Sequence, residues 1–134
     1  KNSISVERTR EYLKEFSKKV TDDGKKFFVV MIPAQFQVDG DSRERFLLSL
    51  LHANTINAKA KDSFDPLRPN RLLGEILNDL SIPSLDLTGP FTKACSGGDC
   101  AIYICNLCHL SSKGHRLAAE LVANELYKRY FNKN

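Results

Sequence analysis

The sequence predicts an α/β fold in which helices cover both faces of a short parallel sheet, giving three α/β/α layers. Two observations lead to this prediction. Amphipathic helical segments alternate with short apolar runs along the chain, and those runs are continuously apolar, as is typical of strands buried on both faces. With 134 residues, the chain is expected to form a single domain over residues 1–134.

The first half of the chain is predicted to contain two helices and one strand. Apolar residues recur at helical spacing over Ser3–Val20, which predicts a helix with one apolar face. We expect five residues of this helix to point inward, namely Ile4, Tyr12, Leu13, Phe16 and Val20. Phe27–Ile32 is continuously apolar and is followed by Pro33, which predicts the first strand. Ser42–Ala53 is predicted to be the next helix.

The second half is predicted to add two helices, one clear strand and one strand end. In chain order we expect a loop at Lys59–Pro69, a helix at Asn70–Leu80 and a strand at Ile82–Leu87. These are followed by a loop at Thr88–Asp99, a strand end at Ala101–Ile104 and a final helix at Ser112–Phe131. Asp86, in the second strand, is expected to cap or orient a neighbouring loop rather than to act in catalysis.

Composition and charge exclude several classes of function. The formal net charge is +4, and the aromatic residues do not alternate with basic ones, so no nucleic-acid partner is expected. The longest apolar run, Phe27–Ala34, is far too short to span a bilayer. The sequence starts at Lys1 rather than at Met, and we therefore expect the chain to be a piece of a longer protein.

The most informative segment is Asn106–Glu120, where a histidine lies just before the last helix. It resembles the last sequence block of the SGNH, or GDSL-like, hydrolase family, which reads Asp-x-x-His, a short polar stretch, Gly-His and an Ala-rich helix. His109 matches the histidine of that block, and Asn106 stands where the aspartate would be. Gly114–Glu120 matches the start of the helix.

The resemblance extends upstream and covers most of residues 26–127. Phe28–Pro33 is similar to the family strand that ends in proline, and Ile82–Leu87 is similar to the strand before the histidine loop. Pro69–Leu80 fits the helix between these strands. The order and spacing of the segments thus resemble the C-terminal portion of the family domain.

The resemblance implies a flavodoxin-like, three-layer fold and the chemistry of an esterase, lipase or acyltransferase. A serine would attack an ester, and His109 would be the catalytic base that accepts the serine proton. The residue at position 106 would orient the imidazole. The substrate would be a small-molecule ester or an acylated glycan, and the chemistry requires no cofactor and no metal.

Two departures from the family pattern limit these implications. Gly40-Asp41-Ser42 spells the family tripeptide, but it follows a late strand instead of the first one, so Ser42 is not expected to be the nucleophile. Asn106 carries no charge, and the same replacement in a serine protease lowers kcat about 10⁴-fold. Either the chain is an inactive or substituted relative, or Asp99 supplies the carboxylate. The nucleophile would lie before Lys1 or be absent, and the chain alone is expected to be inactive.

Four cysteines fall close together, at positions 95, 100, 105 and 108. A disulfide is one interpretation, because the turn between Cys95 and Cys100 could bring their Cα atoms to bridging distance. Four free thiols and a zinc site are the alternatives. Bridged cysteines would favour an extracellular or periplasmic location.

Two other functions stay open beside the hydrolase or acyltransferase. One is a non-catalytic interaction domain of the same fold, and the other is a small metal or redox module formed by the cysteines. Two clear strands are few for a parallel sheet, so an edge would lie bare if the N-terminal half of the domain is missing. We therefore expect self-association, or coverage of that edge by the first helix.

Overall fold

The structure, a computed structural model, describes residues 4–97, 100–104 and 109–132, and 65% of these residues are helical. The helices are α1 (Ile4–Asp22), α2 (Gln35–Val38), α3 (Gly40–His52), α4 (Ala58–Asp62), α5 (Arg68–Asp79), α6 (Thr88–Cys95) and α7 (Ser112–Tyr130). The strands are β1 (Val29–Met31), β2 (Ser84–Asp86), β3 (Tyr103–Ile104) and β4 (His109–Leu110).

The two predicted strands form a parallel pair. Val30 of β1 lies opposite Leu85 of β2. The Val29 amide donates to the Pro83 carbonyl at 3.0 Å, and the Leu87 amide donates to the Met31 carbonyl at 3.0 Å. Backbone groups alternate in direction along a strand, so those of Val30 point away from β2. Within the described part of the chain no further strand pairs with that edge of β1.

The buried core has two parts, one beyond the carboxyl end of the strand pair and one beneath α5. The first part is formed by Val38, Leu87, Phe91, Cys95, Ile102 and Tyr103. The second is smaller and is formed by Met31, Leu77 and Ile82. The first part joins α2 and α6 to the β3–β4 hairpin, and it therefore positions the segment that carries His109.

The prediction of a loop over Thr88–Asp99 is wrong, because α6 occupies its first eight residues. Leu87, Phe91 and Cys95 recur every four residues and are all buried, which is the pattern of a helix with one apolar side. Gly89 and Pro90 indicated a loop from the sequence. Proline is tolerated in the first turn of a helix, where its missing N–H has no intrahelical partner to lose.

The first helix forms as predicted, but its apolar face is mostly uncovered. Ile4 is 71% exposed, Tyr12 is 68% exposed and Phe16 is 58% exposed, whereas Leu13 packs against the second part of the core. Helical periodicity reveals an apolar face, but it cannot show whether the rest of the chain supplies enough surface to cover that face.

Three shorter elements also differ from the sequence prediction. The predicted loop Lys59–Pro69 overlaps α4 and the start of α5. Helix α2 was not predicted, and His109 lies in β4 rather than in a loop. The structure is therefore mostly helical with a few short strands, and the three-layer, flavodoxin-like arrangement stays a prediction.

Candidate functional site

In the segment that resembles the family block, the described residues begin with β4, which pairs antiparallel with β3 in the β3–β4 hairpin, and continue into a capped helix. Tyr103 lies opposite Leu110, and Ile104 lies opposite His109. The Ser111 hydroxyl donates to the Ala101 carbonyl at 2.6 Å and accepts from the Gly114 amide at 3.2 Å. Ser111 is thus the N-cap of α7, and its hydroxyl also joins the helix start to the hairpin.

Tyr103 attaches this hairpin to the carboxyl end of the parallel pair. Its buried hydroxyl donates to the Pro33 carbonyl, two residues beyond β1, at 2.5 Å. Its ring meets Phe91 edge to face, with 6.1 Å between the ring centroids. Open α/β sheets bind ligands outside the carboxyl ends of their strands. Tyr103 belongs to β3, the strand that pairs with His109, so the hairpin is attached at this end of the sheet.

Gly114 allows α7 to approach the hairpin backbone closely. A Cβ atom at this position would lie 2.1 Å from the Ile102 carbonyl oxygen, which is far inside van der Waals contact. The glycine of the family-like Gly-His pair therefore has a structural role in this chain. It permits the contact that holds the helix behind His109.

The His109 side chain is exposed to solvent and makes no hydrogen bond with another side chain that the structure describes. Asn106, predicted to orient it, lies outside the described residues, as do Asp99, Cys105 and Cys108. The predicted catalytic pair of His109 and Asn106 thus stays a prediction.

Ser42 takes part in the capping contacts at the start of α3. Its amide and hydroxyl both donate to the Asp39 carboxylate, the N-cap of α3, with the amide at 3.0 Å. Arg45 Nη2 donates to the Ser42 hydroxyl at 3.0 Å. Among its described partners there is no histidine that could accept the hydroxyl proton.

A chain of polar side chains, not predicted from the sequence, crosses the same end of the strand pair. The buried Gln37 amide nitrogen donates to the Pro66 carbonyl and to Asn70 Oδ1, each at 2.7 Å. Asn70 donates to the Thr88 hydroxyl at 2.8 Å, and that hydroxyl donates to Asp86 Oδ1 at 2.5 Å. No local pattern could reveal this chain, because its members come from three segments that are far apart in sequence.

Asp86 has the structural role that the sequence suggested. Its Oδ1 atom accepts from the amide and the hydroxyl of Thr88, at 2.8 and 2.5 Å, and so fixes the turn from β2 into α6. Nearby, the Arg71 guanidinium donates to the exposed Asp65 carboxylate and lowers the pKa of Asp65 below its usual 3.8. Neither of these carboxylates forms a hydrogen bond or an ion pair with His109.

The two cysteines of the cluster that the structure describes form a bridge. Cys95 at the end of α6 and Cys100 before β3 lie at disulfide distance, with their Cα atoms 4.2 Å apart. A disulfide removes two of the four thiolates that a zinc site would need. The described ranges contain no group of three or more His, Cys, Asp or Glu side chains arranged to hold a metal ion.

Comparisons with protein-family models, with curated proteins and with solved structures find no match to this chain. The resemblance to the SGNH family therefore depends on the residues named above. Among the described helices, none combines the length and the apolar character needed to cross a membrane.

Proposed function

We propose that this chain is the histidine-bearing portion of an SGNH-like ester hydrolase or acyltransferase. The observation that carries the proposal is the position of His109. It is an exposed imidazole on a hairpin that Tyr103 attaches to the carboxyl end of β1, two residues before the N-cap of α7. A general base must be accessible and held on a fixed element, and His109 meets both conditions.

In this proposal His109 Nε2 accepts the proton of a serine hydroxyl as that hydroxyl attacks an ester carbonyl, and it later returns the proton to the leaving group. The residue at position 106 would bind the second ring nitrogen. The capping contacts of Ser42 with Asp39 and Arg45 indicate that the serine comes from elsewhere. The substrate would be a small ester or an acylated glycan.

The free edge of β1 supports the three-layer arrangement as part of the same proposal. The backbone of Val30 points away from β2, and an unpaired strand edge favours pairing with another strand. A further parallel strand on that edge would widen the sheet into the predicted form. The same edge would suit a non-catalytic interaction domain, which we keep as the second candidate.

The proposal makes a prediction about the residue at position 106. Asn106→Asp would replace a neutral amide by a charged carboxylate, and in this assignment it should change the NMR signals of the His109 imidazole. His52 and His115, both exposed, are reference signals in the same molecule and should not change. Unchanged His109 signals would contradict the assignment of positions 106 and 109.

An ester-turnover assay tests the assignment of the nucleophile. The chain alone should hydrolyse a nitrophenyl ester no faster than buffer does, and Ser42→Ala should make no difference. Clear hydrolysis that Ser42→Ala abolishes would show that Ser42 is the nucleophile and would refute the proposal in this form.

A further inference from the structure

Two adjoining cavities lie at the amino ends of β1 and β2, the end away from the attachment of the His109 hairpin. The larger one, which we call the aromatic cleft, has a volume of about 600 Å³ and lies between α1, α7 and the residues before β1. The smaller one, the lysine pocket, has a volume of about 410 Å³. Lys26, Phe27 and Tyr130 line both cavities, so the two lie side by side.

The aromatic cleft has the lining of a site for a hydrocarbon chain. Phe16 of α1 meets Phe27 edge to face at 5.2 Å between ring centroids, and Phe28 and Leu126 complete the walls. Phe131 lies at the mouth and is 73% exposed. Leaving such rings in water is unfavourable, and pockets of about 300–1,000 Å³ with mainly apolar walls are typical of small-molecule sites.

The lysine pocket presents hydrogen-bond donors that have no acceptor among the described residues. Lys25 and Lys26 are exposed and form no ion pair with a described residue, and the hydroxyls of Ser17, Ser81 and Tyr130 form no hydrogen bond with one.

Two carboxylates lie in the adjacent turn. Asp22 is paired with Lys18 at 2.5 Å, which leaves Asp23 as the acidic group nearest in sequence to the two lysines. Of these two carboxylates, Asp23 alone forms no ion pair with a described residue. The donors and the positive charge of the lysine pocket are complementary to an anion with several acceptor oxygens.

We propose that the two cavities together bind a single-chain anionic amphiphile, specifically a long-chain carboxylate. The hydrocarbon chain would lie in the aromatic cleft, and the carboxylate would accept from Lys25 and Lys26. The site is separate from the His109 hairpin, and so this proposal does not depend on the proposed ester chemistry.

The first experiment measures affinity by calorimetry with monomeric ligands below their micelle concentrations. Dodecanoate should bind about fifteenfold more tightly than decanoate, because each of the two added methylenes favours binding about fourfold when buried. Dodecyltrimethylammonium, whose alkyl chain is one carbon longer but whose head is cationic, should bind at least about tenfold more weakly than dodecanoate. Equal affinity for the two head groups, or no dependence on chain length, would overturn the proposal.

The second experiment uses paired variants. Lys25→Gln with Lys26→Gln should weaken dodecanoate binding about tenfold, whereas Lys14→Gln with Lys19→Gln, on the exposed surface of α1, should not. Phe131→Ser should weaken it about tenfold, whereas Tyr12→Ser, which is 68% exposed but outside both cavities, should not. Equal effects of a variant and its control would refute the site.

Two further outcomes would assign the cleft to a different occupant. Binding to phosphatidylglycerol vesicles without binding to monomeric dodecanoate would indicate a membrane surface. A dimer that Phe131→Ser dissociates, in a chain that does not bind dodecanoate, would indicate a second copy. Either result would overturn the carboxylate proposal.

Discussion

The two ends of the parallel pair use aromatic residues in opposite ways. At the carboxyl end Phe91 is 0% exposed and packs against Tyr103 beneath the His109 hairpin. At the amino end Phe131 is 73% exposed at the mouth of the aromatic cleft. The first end is closed by packing and hydrogen bonds, whereas the second leaves apolar surface available. Stability should therefore depend more on the aromatic residues of the carboxyl end, and the proposed binding of a long-chain carboxylate on those of the amino end.

The largest expected effect tests whether the stability of the fold depends on the carboxyl end of the strand pair. Phe91→Ala should lower the free energy of unfolding by about 3–5 kcal/mol, because it leaves a cavity in the first part of the core. Phe131→Ala, the matched change at the amino end, should stay within about 0.5 kcal/mol because the ring is mostly in water already. Urea denaturation measures both values. Similar losses for the two variants would contradict the contrast between the ends.

The next effect tests the contact between α7 and the hairpin. Gly114→Ala should destabilise the chain by about 3 kcal/mol, because the added Cβ meets a backbone carbonyl that cannot move independently. Gly74→Ala, within α5, meets nothing within 4 Å and should stabilise by about 0.5–1 kcal/mol through helix propensity. Thermal unfolding compares the two. The interpretation of Gly114 fails if both alanines are tolerated.

A smaller effect concerns the polar chain at the carboxyl end. Gln37→Ala removes the acceptor of the Ala34 amide and the donor to Pro66 and Asn70, and should cost about 2–3 kcal/mol. Gln35→Ala in the same helix removes no side-chain hydrogen bond among the described residues and should be nearly neutral. Equal stability of the two variants by urea denaturation would show that the chain of bonds contributes nothing.

The smallest effect belongs to the exposed pair of Asp65 and Arg71. The folded-state pKa of Asp65 is held below 3.8 by the Arg71 hydrogen bond, so the pair stabilises the fold above that pH and loses its effect as pH falls through the lowered pKa. Asp65→Asn should slightly lower the urea midpoint at pH 7 and leave it unchanged in strong acid. Added salt should also reduce the difference. A difference that persists in acid would contradict this account.

The sequence predicted the elements whose apolar residues follow a clear pattern, and it missed those whose formation depends on tertiary contacts. The apolar runs around Val30 and Leu85 predicted strands, and their parallel pairing is confirmed. Helix α6 was missed because Gly89 and Pro90 are local loop signals, whereas its burial depends on distant residues. The inward orientation predicted for Phe16 was wrong because coverage depends on which surfaces the fold brings to α1.

The same contrast between local signals and long-range contacts applies to the candidate site. A local motif identified His109, and a local turn suggested the contact between Cys95 and Cys100. The bonds from Gln37 to Asn70 and from Tyr103 to Pro33 join segments far apart in sequence, and no spacing rule predicts them. The aromatic cleft was missed for a related reason, since its walls come from both ends of the chain.

The pairing of Val30 with Leu85 also constrains how the chain can fold as it is made. These residues are roughly 55 positions apart, and closing so long a loop slows folding. During synthesis β1 must leave the ribosome and stay unpaired for about 3–11 s at usual elongation rates before β2 emerges. Helix α7 follows later, and only then can Gly114 dock on the hairpin. The apolar residues around β1 are therefore accessible to chaperones on the nascent chain throughout this interval.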